Sequence, residues 1–208
     1  MGCDIHFYVE RQDDDGAWHL FTPFDLLRRR HPELSPLEVA QAGDTIKRAS
    51  PNTWQELEWR GSIFNDGTFE GMTLEQQKAV FDETRDDYGD QVSDDEAKAY
   101  VLSSSARFYR GRWYNLFAKL ADVRNAREGD EDHITPISQP RGIPEDASPL
   151  GRAVVEAGGD HSHSWLTLQE LLDGMEGWDL REHFDATLKL MAEVGPPNRV
   201  RALFSFDS

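Results

Sequence analysis

The sequence is poor in cysteine and contains no long apolar run. One cysteine, Cys3, in 208 residues excludes an intramolecular disulfide and fits a reducing compartment. No stretch approaches the roughly 18 apolar residues of a membrane-spanning helix, so we expect no membrane association. Residues 1–6 lack the basic and apolar regions of a secretory signal, which leads us to expect a cytoplasmic protein.

Basic residues are also scarce. The chain has 22 Lys and Arg against 39 Asp and Glu, a net charge of −17, which argues against general nucleic-acid binding because that requires a basic surface. Between residues 82 and 96 there are eight acids and one base. Between residues 107 and 127 the balance reverses to six bases and one acid, so any anionic ligand is expected near that stretch.

Several catalytic sequence motifs are missing. The chain has no Walker loop, no Rossmann glycine fingerprint, no Gly-x-Ser-x-Gly and no Cys-x-x-Cys, so the corresponding chemistries have no support. The alternation of the first segment places Cys3 with Ile5, Phe7 and Val9, and we therefore interpret Cys3 as a core residue rather than a nucleophile.

Alternating apolar and polar residues predict strands at both ends of the chain. Residues 3–11 alternate with period two, residues 13–16 are typical of a turn, and residues 17–21 predict the returning strand of a hairpin. Residues 200–207 alternate again. We expect both chain ends to lie in one small, mainly antiparallel sheet.

Helix signals dominate the residues between these strands. Capping boxes and amphipathic periodicity predict helices at about 36–42, 74–86, 94–105, 113–123, 168–174 and 180–194. A further helix is expected to begin at Ser148 and Pro149. Strands at the ends with helices between them indicate a single α+β domain over residues 1–208, with a helical excursion at about 35–105.

The polar side of the first predicted strand is one candidate site. Asp4, His6 and Glu10, with Tyr8 among them, project to the same side at intervals of about 7 Å. Carboxylates and an imidazole in this pattern can ligate a divalent metal such as Zn or Mn, or form an oriented acid/base pair. The alternative is that this face meets solvent, where such residues are ordinary.

A second candidate is the pair His161 and His163, just before the helix capped by Thr167. If the backbone is extended, the two imidazoles share one side. Histidines separated by one residue recur in metal sites, and also in metal-free phosphoesterases, where each proton transfer needs an imidazole. The alternative is a loop whose histidines cap or pack.

A third candidate combines arginines with aromatic neighbours. Guanidinium groups beside aromatic rings suit phosphate groups and planar bases together. Each arginine alone is more simply a surface ion-pair partner among the many acids. As a set, we take the following as candidate ligand-binding residues: Arg110, Arg112, Tyr114, Arg124 and Arg141.

Four segments carry a resemblance to a known family: MGCDIH (1–6), YNLFAKLADVRN (114–125), PISQPRGIP (136–144) and DHSHSWLTLQELL (160–172). Together they resemble a family of phage and prophage proteins that begin MGCDIH, whereas residues 30–105 show no matching motif. The resemblance implies the cytoplasm of an infected bacterial host and carries over no catalytic residues. Small phage proteins often counteract bacterial immunity, some by degrading or sequestering nucleotide second messengers, which is an association rather than a physical argument.

The leading hypothesis is a phosphodiesterase-like hydrolase of a small phosphate-bearing ligand, with a cyclic nucleotide immune signal as the specific candidate. Catalysis is assigned to His6, His161 and His163, and any metal to these three with Asp4 and Glu10. The hypothesis requires His6 and the later imidazoles to converge in one pocket. One alternative is a non-catalytic sponge for a nucleotide messenger, and another is an acidic protein-interaction module. A site shared within a homo-oligomer also stays open.

Overall fold

A computed structural model describes residues 4–22, 25–26, 29, 32, 106–180 and 182–207, and this part is organised around a five-stranded antiparallel sheet. The strands are β1 (Ile5–Gln12), β2 (Trp18–Phe21), β3 (Tyr109–Gly111), β4 (His161–Thr167) and β5 (Val200–Phe206). Their order is β2-β1-β5-β4, and β3 pairs with the first residues of β1. The helices predicted at 36–42, 74–86 and 94–105, the excursion at 35–105 and Cys3 lie outside the described residues.

The predicted hairpin is confirmed as β1 and β2, and the side chain of Asp13 stabilises the turn between them. The carboxylate of Asp13 accepts hydrogen bonds from the backbone N–H groups of Asp15 and Ala17, at 3.0 and 2.8 Å. Gly16 has φ +87°, a conformation that glycine adopts without steric cost. The turn therefore needs the Asp and Gly residues that the sequence places there.

The two ends of the chain are neighbours, as predicted. β1 pairs with β5 from Ile5 opposite Phe206 to Arg11 opposite Val200, and β4 pairs with the other side of β5. The α+β class is therefore confirmed. Sequence analysis did not assign β3, which is only three residues long.

The four helices expected among the described residues are present: α1 (Tyr114–Ala121), α2 (Pro149–Gly158), α3 (Leu168–Gly174) and α4 (Glu182–Val194). The Ser148 side chain caps α2 by accepting from the N–H of Gly151. Thr167 and Glu170 form the reciprocal capping box that starts α3. Local capping chemistry thus sets where these helices begin.

Both faces of the sheet are covered, which corrects the expectation of a polar face meeting a cavity or solvent. One face carries Ile5, Phe7 and Phe204 under α1, α3 and α4. The other face carries Tyr8 and Leu203 under α2. The polar residues of β1 therefore lie in a second buried layer, because α2 packs against the side that alternation marked as polar.

Two glycines on one side of α2 allow this helix to lie close to the sheet. Gly151 and Gly158 are seven residues apart, about two helical turns, so they share a face. A Cβ at Gly151 would overlap the Glu10 carboxylate, and a Cβ at Gly158 would overlap the Tyr8 hydroxyl. The absence of side chains at these positions sets the separation between α2 and β1.

Gly158→Ala tests this close approach. A helix glycine replaced by alanine normally gains up to about 1 kcal/mol, but here we expect a loss of about 1–3 kcal/mol from overpacking. Denaturant unfolding measures the change, and in a Tyr8→Phe background, where the hydroxyl is gone, the cost should shrink. A stabilised single variant would contradict the packing described here.

Candidate functional site

The paired ends of β1 and β5 bring one imidazole and two carboxylates together. The N–H of Asp4 donates to the Asp207 carboxylate, and the N–H of Asp207 donates to the Asp4 carbonyl at 3.3 Å. His6 Nε2 lies 3.0 Å from Asp207 Oδ2. His6 is paired with Ser205, and the Ser205 hydroxyl donates to the Val155 carbonyl in α2. The side chains of His6 and Asp207 therefore lie on the face of the sheet that α2 covers.

Arg112 completes this group, which we call the terminal cluster (Asp4, His6, Arg112 and Asp207). β3 places Gly111 opposite Ile5, so Arg112 follows beside the start of β1. Its Nε donates to Asp4 Oδ1 at 2.6 Å, and 60% of its side chain is exposed. The hydrogen bond that Arg112 donates to the Asp4 carboxylate raises the pKa of Arg112, so a permanent, partly exposed positive charge lies at the edge of the cluster.

His6 is held as a neutral imidazole. Burial lowers its pKa, the nearby Arg107 charge lowers the pKa further, and the hydrogen bond with Asp207 only partly opposes them. Because the Asp207 carboxylate accepts, Nε2 carries the proton and Nδ1 keeps its lone pair. Nδ1 is buried and has no hydrogen-bond partner among the described residues. A neutral, oriented imidazole with an unused basic nitrogen is equipped to accept a proton.

Asp207 is held as a carboxylate. Burial acts to raise its pKa, but the hydrogen bonds from the Asp4 N–H and from His6 outweigh burial, and the pKa is lowered overall. A carboxylate at this position fixes the ring orientation of His6 and stabilises its protonated form.

Tyr114 and Arg124 extend the positive side of the cluster. Tyr114 begins α1, two residues after Arg112, and the Arg124 guanidinium lies 5.2 Å from the centre of its ring. The N-cap residue Trp113 makes no side-chain capping bond, and the first turn of α1 has no acid. The partial positive charge of this helix end therefore adds to the two arginines and favours an anion.

His161 does not join His6. It is paired with Phe206, which is paired with Ile5, and its ring stacks on Phe206 with centroids 6.1 Å apart. Ile5 and His6 are consecutive in β1 and project to opposite faces. The prediction that His6 and His161 converge in one pocket is therefore wrong. His161 is aligned with Ile5, and the residue next to Ile5 in β1, His6, projects to the opposite face of the sheet.

His163 lies at an irregularity of β4. The register shifts between His161 and Ser164, and Ser162 has φ +52°. The His163 carbonyl accepts from the N–H of Gly142 at 2.9 Å, and its Nε2 is buried without a partner among the described residues. The two histidines therefore do not follow simple strand alternation, because the bulge separates them.

Glu10 and Arg141 are engaged in the fold rather than in the terminal cluster. Glu10 is fully buried, where it accepts from the Ser148 N–H at 2.8 Å and pairs with Arg201. Arg141 pairs with Glu170 at 2.8 Å. Alternation predicted the face of Glu10 correctly but could not predict these partners. Arg110, in β3, lies directly opposite His6.

A polar depression of about 500 Å³ lies in the loop after α1. Asn125 holds this loop together, because its Oδ1 accepts from Ala126 and Ile134 and its Nδ2 donates to Asp122. These polar groups satisfy one another within the loop. We therefore place the candidate site at the terminal cluster, where a basic nitrogen is unused.

The described residues contain no group of three or more His, Cys, Asp or Glu side chains that could hold a metal ion. The terminal cluster offers His6, Asp4 and Asp207, but Asp4 is paired with Arg112 and His6 with Asp207. Binding of Zn or Mn stays a prediction from the sequence.

Sequence analysis missed Asp207, the residue that orients His6. The alternating pattern of residues 200–207 indicated a strand, and the two end strands were expected to be neighbours. Only their register, with Ile5 opposite Phe206, shows that Asp207 reaches His6. That register depends on contacts between residues about 200 positions apart.

Comparison of the chain with protein-family models, with curated proteins and with solved structures found no match. Within the ranges that the structure describes, no helix is long and apolar enough to cross a membrane.

Glu10→Gln tests the structural role of that carboxylate. Removing the buried partner leaves Arg201 with only the exposed carboxylate of Asp146, at 2.7 Å, and we expect a loss of about 3 kcal/mol in the free energy of unfolding. Glu156→Gln is the matched control, since its pair with Arg152 is exposed at 3.9 Å; it should change stability by no more than about 1 kcal/mol. Equal effects would contradict the assignment.

His6 predicts a pH dependence of stability. Its pKa in the folded protein is below the unfolded value of 6.5, so the unfolded chain takes up the proton first as the pH falls. The free energy of unfolding should therefore decrease as the pH drops below 6.5, and the lowered pKa of Asp207 continues the trend at lower pH. Urea unfolding at pH 7.5 and 5.5 should show a smaller decrease for His6→Gln than for the original protein. An identical decrease would contradict a neutral His6.

Proposed function

We propose that this protein is a phosphodiesterase-like hydrolase that cleaves a small phosphate-bearing ligand at the terminal cluster. The observation that supports this most directly is the 3.0 Å pair between His6 and Asp207 beside the exposed guanidinium of Arg112. An oriented neutral imidazole can act as a general base in phosphate ester hydrolysis, and a fixed cation can stabilise the negative charge on the phosphoryl oxygens.

Arg112 is the phosphate-binding residue of this proposal. A guanidinium forms two parallel hydrogen bonds to phosphate oxygens and remains charged at any physiological pH. Asp4 fixes Arg112 through Nε, which leaves the outer nitrogens for a ligand. Arg124 and the first turn of α1 add positive potential on the same side.

His6 is the general base. This step requires a water molecule to reach Nδ1, which is buried in the described structure. Nδ1 accepts a proton from that water as the water oxygen forms a bond to phosphorus, and the bond from phosphorus to the leaving oxygen breaks. The imidazolium then returns the proton to that oxygen, so one diester and one water give one monoester and one alcohol. Asp207 stabilises the imidazolium between these two transfers.

Cyclic nucleotides are the first substrates to examine. We take an infected bacterial cell, which the resemblance to phage proteins suggested, as the proposed setting; nucleotide messengers signal immunity there, and a cyclic phosphodiester fits the step above. Assays of a cyclic-nucleotide panel with and without Mn²⁺ or Zn²⁺ also test the metal predicted from the sequence.

His6→Gln tests the proposed base. Loss of a general base typically costs about 10²–10⁴-fold in rate, so kcat for the hydrolysed cyclic nucleotide should fall by that factor while circular dichroism shows a folded protein. His19→Gln is the matched control, because His19 also pairs with an aspartate, Asp13 at 2.8 Å, but lies exposed on β2. Turnover that survives in His6→Gln would overturn the assignment of the base.

A non-catalytic sponge is the second candidate. It is favoured by the separation of His6 from His161, which leaves the terminal cluster with a single imidazole. Tight retention of one nucleotide without turnover, in every metal condition, would favour the sponge over the hydrolase. The acidic interaction module concerns residues 82–96, which lie outside the described residues, and it stays a prediction.

A further inference from the structure

We infer that Tyr114 and Arg124 form a stacking platform for a planar base, so that the ligand of the terminal cluster is a nucleotide rather than a simple phosphate ester. This inference depends on the proposed function, because it takes the phosphate to bind at Arg112. The inference adds that the protein recognises the base of the ligand, and that Tyr114 and Arg124 recognise it.

Tyr114 is exposed, and its ring packs against a buried residue. The residue is 43% exposed, although most of the large aromatic residues that the structure describes are buried or partly buried. The ring stands edge-on against Phe117, with centroids 5.3 Å apart and an angle of 85° between the planes, and Phe117 is fully buried. A fixed, partly exposed ring can stack a base with little loss of conformational entropy.

Arg124 covers this ring and has no carboxylate partner among the described residues. In a chain with 39 acids, most surface arginines are expected to find one, as Arg112, Arg141 and Arg199 do. The Arg124 guanidinium carbon instead lies over the Tyr114 ring, 5.2 Å from its centre. Its plane and charge suit a nucleobase and its phosphate, respectively.

The backbone that places Arg124 is unusual. Asp122 and Arg124 have φ values of +58° and +53°, which residues other than glycine rarely adopt. The Asp122 carboxylate accepts from Gln139 at 2.7 Å and from Asn125 at 2.6 Å, and these bonds hold the turn. The turn directs Arg124 back toward Tyr114 at the far end of α1.

The platform and the phosphate-binding arginine are adjacent. Arg112 and Tyr114 are two residues apart at the start of α1, and Arg112 is bonded to Asp4 of the terminal cluster. A nucleotide carries its base and its phosphate within one small molecule, so a ring and a cation this close suit both of its parts. A phosphate ester without a base would leave the platform unused.

The test compares a nucleotide with a ligand that lacks the base. Isothermal titration calorimetry with cyclic AMP and with ribose 5-phosphate measures the two affinities for the original protein and for Tyr114→Leu. Stacking on one aromatic ring typically changes affinity by about tenfold, so Tyr114→Leu should bind cyclic AMP about tenfold more weakly and ribose 5-phosphate as before. Arg124→Gln should act in the same direction.

Two further variants control for non-specific effects. Tyr114→Phe keeps the ring and should bind cyclic AMP almost as the original does. Lys119, also in α1, is another cation beside an aromatic ring: its Nζ lies 6.0 Å from the centre of the Trp178 ring. Lys119→Gln removes this charge and should change the affinity for neither ligand.

The outcomes separate this inference from the proposed function. If Tyr114→Leu weakens both ligands equally, or neither, the platform is refuted, while the hydrolase is still decided by turnover in His6→Gln. If neither ligand binds the original protein and no cyclic nucleotide is hydrolysed, the proposed function fails and the inference fails with it. Selective loss of cyclic AMP binding supports the platform, and turnover of the cyclic nucleotide then decides between the hydrolase and the sponge.

Discussion

The buried ion pair between Glu10 and Arg201 joins most of the described structure. Arg201 donates to Glu10 through Nε at 2.8 Å, and the other Glu10 oxygen accepts from the Ser148 N–H at the start of α2. The guanidinium lies between the rings of Trp18 and Trp165, at 4.0 and 5.7 Å. One interaction thus connects β1, β2, β4, β5 and α2. Two buried charges are tolerated only when all these partners are in place.

The terminal cluster follows from the register that this pair requires. Glu10 is opposite Arg201, and the same ladder places His6 opposite Ser205 and brings Asp207 within reach of His6. A slip of one residue would move His6 to the other face of the sheet and separate it from Asp207. The stability of the fold and the geometry of the candidate base therefore depend on one strand pairing.

The distribution of charge explains how so acidic a chain could hold an anion. The net charge of −17 repels phosphate at long range, but such repulsion is screened within about 10 Å in physiological salt. Arg112 precedes the start of α1, where the helix dipole is positive, and Arg124, which follows the end of α1, extends its guanidinium to the ring of Tyr114 in the first turn. For the proposed anionic ligand, the local potential at short range would therefore outweigh the repulsion by distant acids.

Sequence patterns predicted the features that are set by residues close together in the chain. The tertiary structure decided the features that are set by contacts between residues far apart in the chain. Alternation, turn residues and capping boxes determined the hairpin, the end strands and the starts of α2 and α3, because those features involve residues at most a few positions apart. Sequence analysis also grouped Asp4 and His6 correctly. The orientation of His6 by Asp207, the burial of Glu10 and the separation of His161 from His6 arose only from strand register. Register is set by packing between residues far apart in the chain, which no local spacing records.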